Sequence, residues 1–389
     1  MSARQHVGIN LLWLVPGVVG GSEEYTTRAL RALAAMAPPD LDVTLFVLAP
    51  FAAAHPDLVS AYPTVTVGID GRSKPRRVAA EAAWLPRVAR RRGIDLMHHA
   101  GGVIPPGPAI GRLPPALTIH DLQPLVLPEN FSRLKRRWLA TMIPRSAAKA
   151  GVVLTPSDPA SASVVDLLGI APERVRTVPH GIEPPAPVDE RRQAEVRTRY
   201  RLAGPVVLYP AIPYAHKEHT TLVRAFAQVA ATRPDVTLVL AGDTWITEAD
   251  LAAAIRASGA SAQVRRTGRV GWDDLHALYS VASVVAVPSR FEGFGAPVLE
   301  AMAAGVAVVA ADATALPWVV GDAGVLVPVG DVNAWATALS RLLDDPGELA
   351  RRAVAGRARA ATFTWERTAL ALAAGYRQAA RIGEDGRRP

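Results

Sequence analysis

Two carboxylates, Glu292 and Glu300, stand with seven residues between them in the run Pro288-Ser289-Arg290-Phe291-Glu292-Gly293-Phe294-Gly295-Ala296-Pro297-Val298-Leu299-Glu300-Ala301-Met302-Ala303-Ala304-Gly305. The run follows the apolar stretch Val284–Val287 and opens a helical pattern near Ala296. Gly293 and Gly295 let a ligand come close to the backbone, and Pro297 falls in a first helical turn, where a missing N–H does no harm. Free amides at such a helix start, together with the helix dipole, favour a bound phosphate or a ring of hydroxyls. Glu292 lies before the helix and Glu300 about one turn inside it, so the two carboxylates can address two parts of one extended ligand.

Other residues carry weaker signals. Gly20-Gly21-Ser22-Glu23-Glu24-Tyr25 joins a first strand to a first helix. Ser22 suits an N-cap, and the glycines would bring bare amides to a diphosphate and an acceptor. Alone, such a glycine pair also fits a tight turn. Lys217, in Tyr214-Ala215-His216-Lys217-Glu218, is the only lysine after Lys149 in a chain with four lysines and 39 arginines. A compact ammonium reaching for phosphate explains it. His120-Asp121 closes the apolar run Leu117–His120, and His98-His99 precedes Gly101-Gly102. Each of these histidines fits either a ligand site or a satisfied structural position, and so does Asp121.

The elements that must position these residues alternate regularly. Strand-like runs are Val7–Val15, Val43–Leu48, Val65–Val67, Leu96–His98, Leu117–His120, Val152–Thr155 and Val175–Val178. A second series follows at Val206–Tyr209, Val236–Leu240, Val264–Arg266, Val284–Val287, Val306–Ala310 and Val325–Val327. Between them lie helical patterns at Glu23–Met36, Thr221–Ala231, Glu248–Ala257, Asp273–Tyr279 and Pro297–Ala304. Continuous valine- and leucine-rich runs separated by helices predict parallel strands covered on both faces. The proline-rich stretch Glu183-Pro184-Pro185-Ala186-Pro187 is a stiff connector and places the boundary between domains 1–186 and 187–365, with 366–389 a terminal helix able to cross back to the first. Doubly wound units bind ligands outside the carboxyl ends of their strands; if those ends face each other, the site is the cleft between the domains.

The stretch Glu292–Gly305 resembles the hallmark of the retaining GT-B glycosyltransferases of family 4: a glutamate, seven residues and a second glutamate, with Gly-Phe-Gly after the first and Ala-Met-Ala-x-Gly after the second; within that family Thr118-Ile119-His120-Asp121-Leu122 and His216-Lys217 look most like mannosyl- and rhamnosyltransferases. The resemblance covers nearly the whole chain. It implies an α/β fold of two Rossmann-like parallel-sheet domains facing an interdomain cleft, the first for the acceptor and the second for a nucleotide-sugar donor. It also implies that Glu292 contacts donor-sugar hydroxyls, Glu300 the ribose, Phe294 and Gly295 the sugar through their amides, Lys217 the diphosphate, and His120 the sugar. Gly20 and Gly21 would face the donor, and Tyr25, His98, His99 and Asp121 are candidates to line the cleft. His180-Gly181 is similar to the family's Asn-Gly turn and reads as structural.

The chain departs from the pattern in places. Pro210-Ala211 stands where many members have Gly-Arg, leaving His216 to assist Lys217. Val306-Ala307 replaces a Thr-Pro or Cys-Pro, and Trp318 a glutamate. The one Asp-x-Asp of the sequence, Asp40-Leu41-Asp42, sits at the amino end of a strand, so a metal-free donor site with no cofactor is expected. The reading is therefore hexosyl transfer from a nucleotide-diphosphate sugar to an acceptor hydroxyl, with retention. A non-catalytic scaffold of the same fold and a nucleotide-sugar epimerase are the alternatives.

Composition narrows the rest. The 389 residues are 50% hydrophobic and 20% charged, the mix of a folded chain. The absence of cysteine excludes a disulfide framework, a thiolate zinc site and a cysteine nucleophile. Val7–Val19, interrupted by Asn10 and Pro16, is too short to cross a bilayer, so a cytoplasmic protein, soluble or peripheral at the inner face of the membrane, is expected. The net charge of +8 concentrates in Arg72–Arg92 and Arg133–Lys149. Such clusters fit an anionic membrane surface or ordinary solvated helix faces; no nucleic-acid motif accompanies them. A glycan, a lipid-linked molecule or a small soluble molecule would each serve as acceptor.

Overall fold

The structure is a computed structural model, which describes residues 4–18, 20–111, 113–243 and 248–385. It divides into two compact units, Met1–Gly181 with Thr364–Pro389, and Ile182–Phe363. The first crossing precedes the proline run at 184–187.

The first unit holds seven parallel strands: β1 (Gln5–Asn10), β2 (Leu41–Leu48), β3 (Thr64–Val67), β4 (Leu96–His99), β5 (Ala116–Thr118), β6 (Val152–Thr155) and β7 (Val175–Thr177), in the order β3-β2-β1-β4-β5-β6-β7. β1 pairs with β4 so that Ile9 meets His98 and Asn10 meets His99. Val7, Ile9, Leu45, Phe46, Leu96 and Met97 are all buried, as a sheet covered on both faces requires. Gly8 is dictated by packing: a Cβ there would lie 2.9 Å from both Met97 and Phe46. The expected run Val7–Val15 is a strand only as far as Asn10, whose Oδ1 accepts the N–H of Leu12 and turns the chain out of the sheet. β5 likewise stops at Thr118, leaving His120 just beyond the strand end.

Helix Trp365–Asp385 packs on helix Gly21–Met36 and on β6. Tyr376 hydrogen-bonds His98 Nδ1 at 3.0 Å, and Arg377 grips the Asp40 carboxylate at 2.6 and 2.7 Å. These bonds tie the tail into the first unit.

The second unit holds six parallel strands: β8 (Val206–Tyr209), β9 (Thr237–Ala241), β10 (Val264–Gly268), β11 (Val284–Val287), β12 (Ala307–Ala311) and β13 (Val325–Val327), ordered β10-β9-β8-β11-β12-β13. Val284 meets Val207 and Val285 meets Leu208. Tyr209, Phe226, Tyr279 and Trp335 fill its core. In both units the strand order reverses beside the first strand, so the loops after β1 and β4, and those after β8 and β11, open at topological switch points.

Candidate active site

The switch point of the second unit brings together residues 75 positions apart. Lys217, in the short turn Ala215–Lys217 after β8, donates from Nζ to Glu292 Oε1 at 2.5 Å; their side chains are 17% and 12% exposed. Among the described residues nothing else bonds the Glu292 carboxylate. The Glu292 N–H is held separately, by donation to Thr314 Oγ1 at 2.9 Å.

Several residues that carried no sequence signal stitch the two loops together. Tyr209, at the end of β8, donates its hydroxyl to the Lys217 carbonyl at 2.8 Å and lies 3.0 Å from Ser289 Oγ. The Arg290 N–H donates to the His216 carbonyl at 2.9 Å, and its Nε to Glu218 Oε1 at 2.6 Å. Glu218 is buried, and its Oε2 accepts from Thr221 at 2.6 Å. Its φ of +54° is uncommon for a residue with a side chain. The ion pair to Arg290 thus fastens the strained turn that presents Lys217. His216, expected to assist Lys217, does not do so as a cation. Burial first, then the Lys217 charge, lowers its pKa to about 4, so the ring is neutral near pH 7. Arg290, half-exposed, is the other cation of this seam.

The helix after β11 is Ala296–Ala303, with Gly295 as its N-cap at φ +104°. A side chain at Gly295 would be strained and would lie 2.7 Å from Leu316 Cδ2. Glu300 stands one turn inside, with Oε2 accepting from the buried Tyr279 hydroxyl at 2.8 Å. Phe294 is buried edge-on against Trp318 and Phe363. Trp318, where a glutamate is usual in the resembling family, therefore props the Gly293–Gly295 turn through Phe294.

In the first unit, Gly20 caps helix Gly21–Met36 with φ +65°, and open space surrounds the positions a Cβ would take at Gly20 and Gly21. Ser22 is not the N-cap. Glu23 organises the turn instead, accepting from the Gly17 N–H at 2.7 Å and pairing with His55 at 3.1 Å. Tyr25 is buried. Its hydroxyl donates to the Val178 carbonyl at 2.9 Å, and its ring stacks on His180 at 4.3 Å and meets His120 edge-on. His98 is also internal, with Nδ1 on Tyr376 and Nε2 on Thr118. His120 donates from Nε2 to the Ala100 carbonyl at 3.1 Å, and burial lowers its pKa to about 4. It is a neutral ring. Asp121 accepts from the Gln123 N–H at 2.9 Å. His99 shares the Asn10 amide with Glu81.

Asp40 pairs with Arg377 and Asp42 with Arg4, both at the amino end of β2. Among the described residues no group of three or more histidines, aspartates or glutamates is placed to hold a metal ion.

Two doubly wound sheets in tandem, one with a lysine, a carboxylate and a glycine-started helix at its switch point, define the GT-B class of nucleotide-binding α/β proteins. Residues 19–185 match the family model Glycosyltransferase Family 4, and residues 204–345 match Glycosyl transferases group 1. The chain belongs to the family-4 glycosyltransferases.

Among curated relatives, the O-antigen chain mannosyltransferase B of Escherichia coli is 30% identical over 64% of this chain and 66% of its own length. The MMP alpha-(1->4)-mannosyltransferase of Mycolicibacterium hassiacum is 33% identical over 63% and 59%. The chain spans less than two thirds of either relative. A D-inositol 3-phosphate glycosyltransferase of Xylanimonas cellulosilytica is 29% identical over 93% of both chains. Among solved structures, sucrose-phosphate synthase from Thermosynechococcus elongatus superposes with TM-score 0.74 at 24% identity, covering 96% of this chain and 99% of that one. Anabaena HepE in complex with UDP and glucose gives 0.72 at 22%, covering 96% and 100%.

Proposed function

We propose that this chain transfers a hexosyl group, of the mannose or rhamnose type, from a nucleotide-diphosphate sugar to an acceptor hydroxyl, with retention of configuration and without a metal. The observation that carries the proposal is the Lys217–Glu292 pair at the second unit's switch point, beside the Gly295 helix start. The leaving group of such a reaction is a diphosphate, and the sugar passes through an oxocarbenium-like centre, so the catalytic task is electrostatic. Lys217 supplies the fixed charge for the diphosphate. Glu292, held by Lys217 on one oxygen, takes sugar hydroxyls on the other. Glu300, oriented by Tyr279, takes the ribose. His120, neutral and fixed by the Ala100 carbonyl, hydrogen-bonds the sugar without carrying charge. With no side chain assigned as a nucleophile, same-face attack is the mechanism proposed, the donor phosphate taking the acceptor proton.

The mannosyltransferases among the relatives support the sugar class, and the nucleotide in HepE supports a nucleoside diphosphate as carrier. Thermal unfolding with GDP-, UDP-, ADP- and dTDP-sugars tests the donor, since a ligand at about 100 times its Kd adds about 2.7 kcal/mol. Incubating the donor alone and then with acceptors, with and without EDTA, separates transfer from epimerisation and from an inert scaffold. A strict requirement for magnesium or manganese would overturn the metal-free mechanism.

The acceptor we propose is membrane-proximal. Helix Arg133–Lys149 exposes Leu134 (82%) and Trp138 (44%) between Arg133, Lys135, Arg136 and Arg137. Among the described residues no arginine or lysine of either basic cluster makes an ion pair with a carboxylate. Each such residue near an anionic surface adds about 1 kcal/mol of attraction. Co-sedimentation with phosphatidylglycerol vesicles should be salt-sensitive and should fail with neutral vesicles. No binding at low salt would point to a soluble acceptor.

A further inference from the structure

A cavity of about 510 Å³ lies in the first unit, under the chain segment that follows β4. Apart from Glu81, His99 and the exposed Lys149, its walls are apolar: Met97, Ile104, Ile110, Ile382, and six prolines at 86, 105, 106, 108, 114 and 115. Prolines bring no N–H, so these walls offer few donors. The segment is fixed rather than draped. Gly107 and Gly111 have φ of +146° and +83°, and a Cβ on them would lie 2.9 Å from the Ala82 carbonyl oxygen and 2.2 Å from that of Asp95. The Leu113 N–H also donates to Asp95 at 3.0 Å. The hollow is therefore built in before any ligand arrives, and its size is that of a site for a small organic molecule.

One part of its lining is polar and fully oriented. Asn10 accepts the Leu12 N–H on Oδ1, which turns its NH₂ toward Glu81 Oε1 (3.0 Å) and His99 Nδ1 (3.2 Å). His99 Nδ1 is thus an acceptor, and the ring proton sits on Nε2. His99 is 3% exposed and lines the cavity, yet its Nε2 has no partner among the described residues. Glu81 also lines the cavity, and its Oε2 has no partner among the described residues. An N–H donor and a carboxyl acceptor, coupled through one amide and facing an apolar chamber, match one hydroxyl group: it accepts from His99 and donates to Glu81.

We infer that this cavity binds a largely apolar, uncharged alcohol, with its hydroxyl between His99 and Glu81 and its hydrocarbon body against the proline wall. The site needs no nucleotide sugar and does not depend on the transferase reading. Burial agrees with the ligand class: it keeps the His99 ring neutral, with a pKa of about 3, and raises that of Glu81, so neither group favours an anion.

The test is a titration of the full chain, without nucleotide, with 2-naphthol, naphthalene and 2-naphthoate, read by ligand fluorescence and by chemical shifts of the His99 ring. The alcohol should bind about tenfold more tightly than the hydrocarbon, the ratio expected when buried polar groups are left unpaired, and more tightly than the carboxylate. His99→Phe should abolish the preference for alcohol over hydrocarbon while keeping hydrocarbon binding. Ile110→Trp, which fills the chamber, should weaken all three. Equal affinity for alcohol and hydrocarbon in the unaltered chain, a preference for the carboxylate, or no movement of the His99 resonances would overturn the proposal, whatever the variants do.

Discussion

Replacing Lys217 with methionine removes an ammonium 2.5 Å from Glu292 Oε1, at a place where the two side chains are only 17% and 12% exposed. Two losses follow. Breaking a fully buried pair from one side costs about 3–5 kcal/mol; water reaches both ends here, so about 2 kcal/mol is expected, a fall in Tm of roughly 4–8 °C for a unit of this size. The reaction loses a preorganised charge, worth about 10²–10³ in kcat. The two losses separate in the double variant Lys217→Met, Glu292→Gln. With no charge left uncompensated, stability should recover most of its loss, while turnover stays at or below that of the single variant. Differential scanning calorimetry without ligand and initial rates at saturating donor measure the two. A single variant turning over within threefold of the parent would refute the reasoning, as would a double variant that regained turnover.

Gly295→Ala must adopt φ +104° and meets Leu316 Cδ2 at 2.7 Å; a loss of about 1–3 kcal/mol is expected, with weaker donor binding by calorimetry. Glu218→Gln loosens the hold on half-exposed Arg290, so stability should change by no more than about 1 kcal/mol while KM for the donor rises. An unchanged KM would remove the seam from the mechanism. Acid should unfold the protein early. His98, His99, His120, His180, His216 and His219 have pKa values of about 3 to 4 in the folded chain, chiefly through burial, against about 6.5 unfolded. Between those values the unfolded chain binds more protons, so stability is full well above pH 6.5 and falls as pH drops toward 4, by up to about 1.4 kcal/mol per histidine at pH 5.5. A Tm flat from pH 7 to 5 would contradict this.

Much of this was legible because parallel sheets write themselves as uninterrupted apolar runs. All the strand-like runs of the sequence overlap strands, since burial on both faces leaves no alternation to misread. Val7–Val15 ran long because Asn10 ends β1 through a side-chain bond that apolar content does not reveal. Glu292, Glu300 and Lys217 stood out by spacing and rarity. Glu218, Arg290, Tyr209 and Tyr279 did not, because their meaning lies in partners 72, 8 and 21 residues away; Glu218 and Arg290 meet only because β8 lies beside β11. The partners of Tyr25 were hidden for the same reason: its place on the buried stripe of helix Gly21–Met36 turns it toward Val178 and His180, more than 150 residues on.

The most direct test is a transfer assay with the unaltered chain, a sugar-nucleotide panel and a polyprenol-linked acceptor in EDTA, with the anomeric configuration of the product read by NMR. Transfer from a mannose- or rhamnose-type donor should proceed without added metal and give a product with the donor's anomeric configuration, and Lys217→Met should lower the rate by about 100-fold or more. An inverted product, or undiminished transfer by Lys217→Met, would contradict the account.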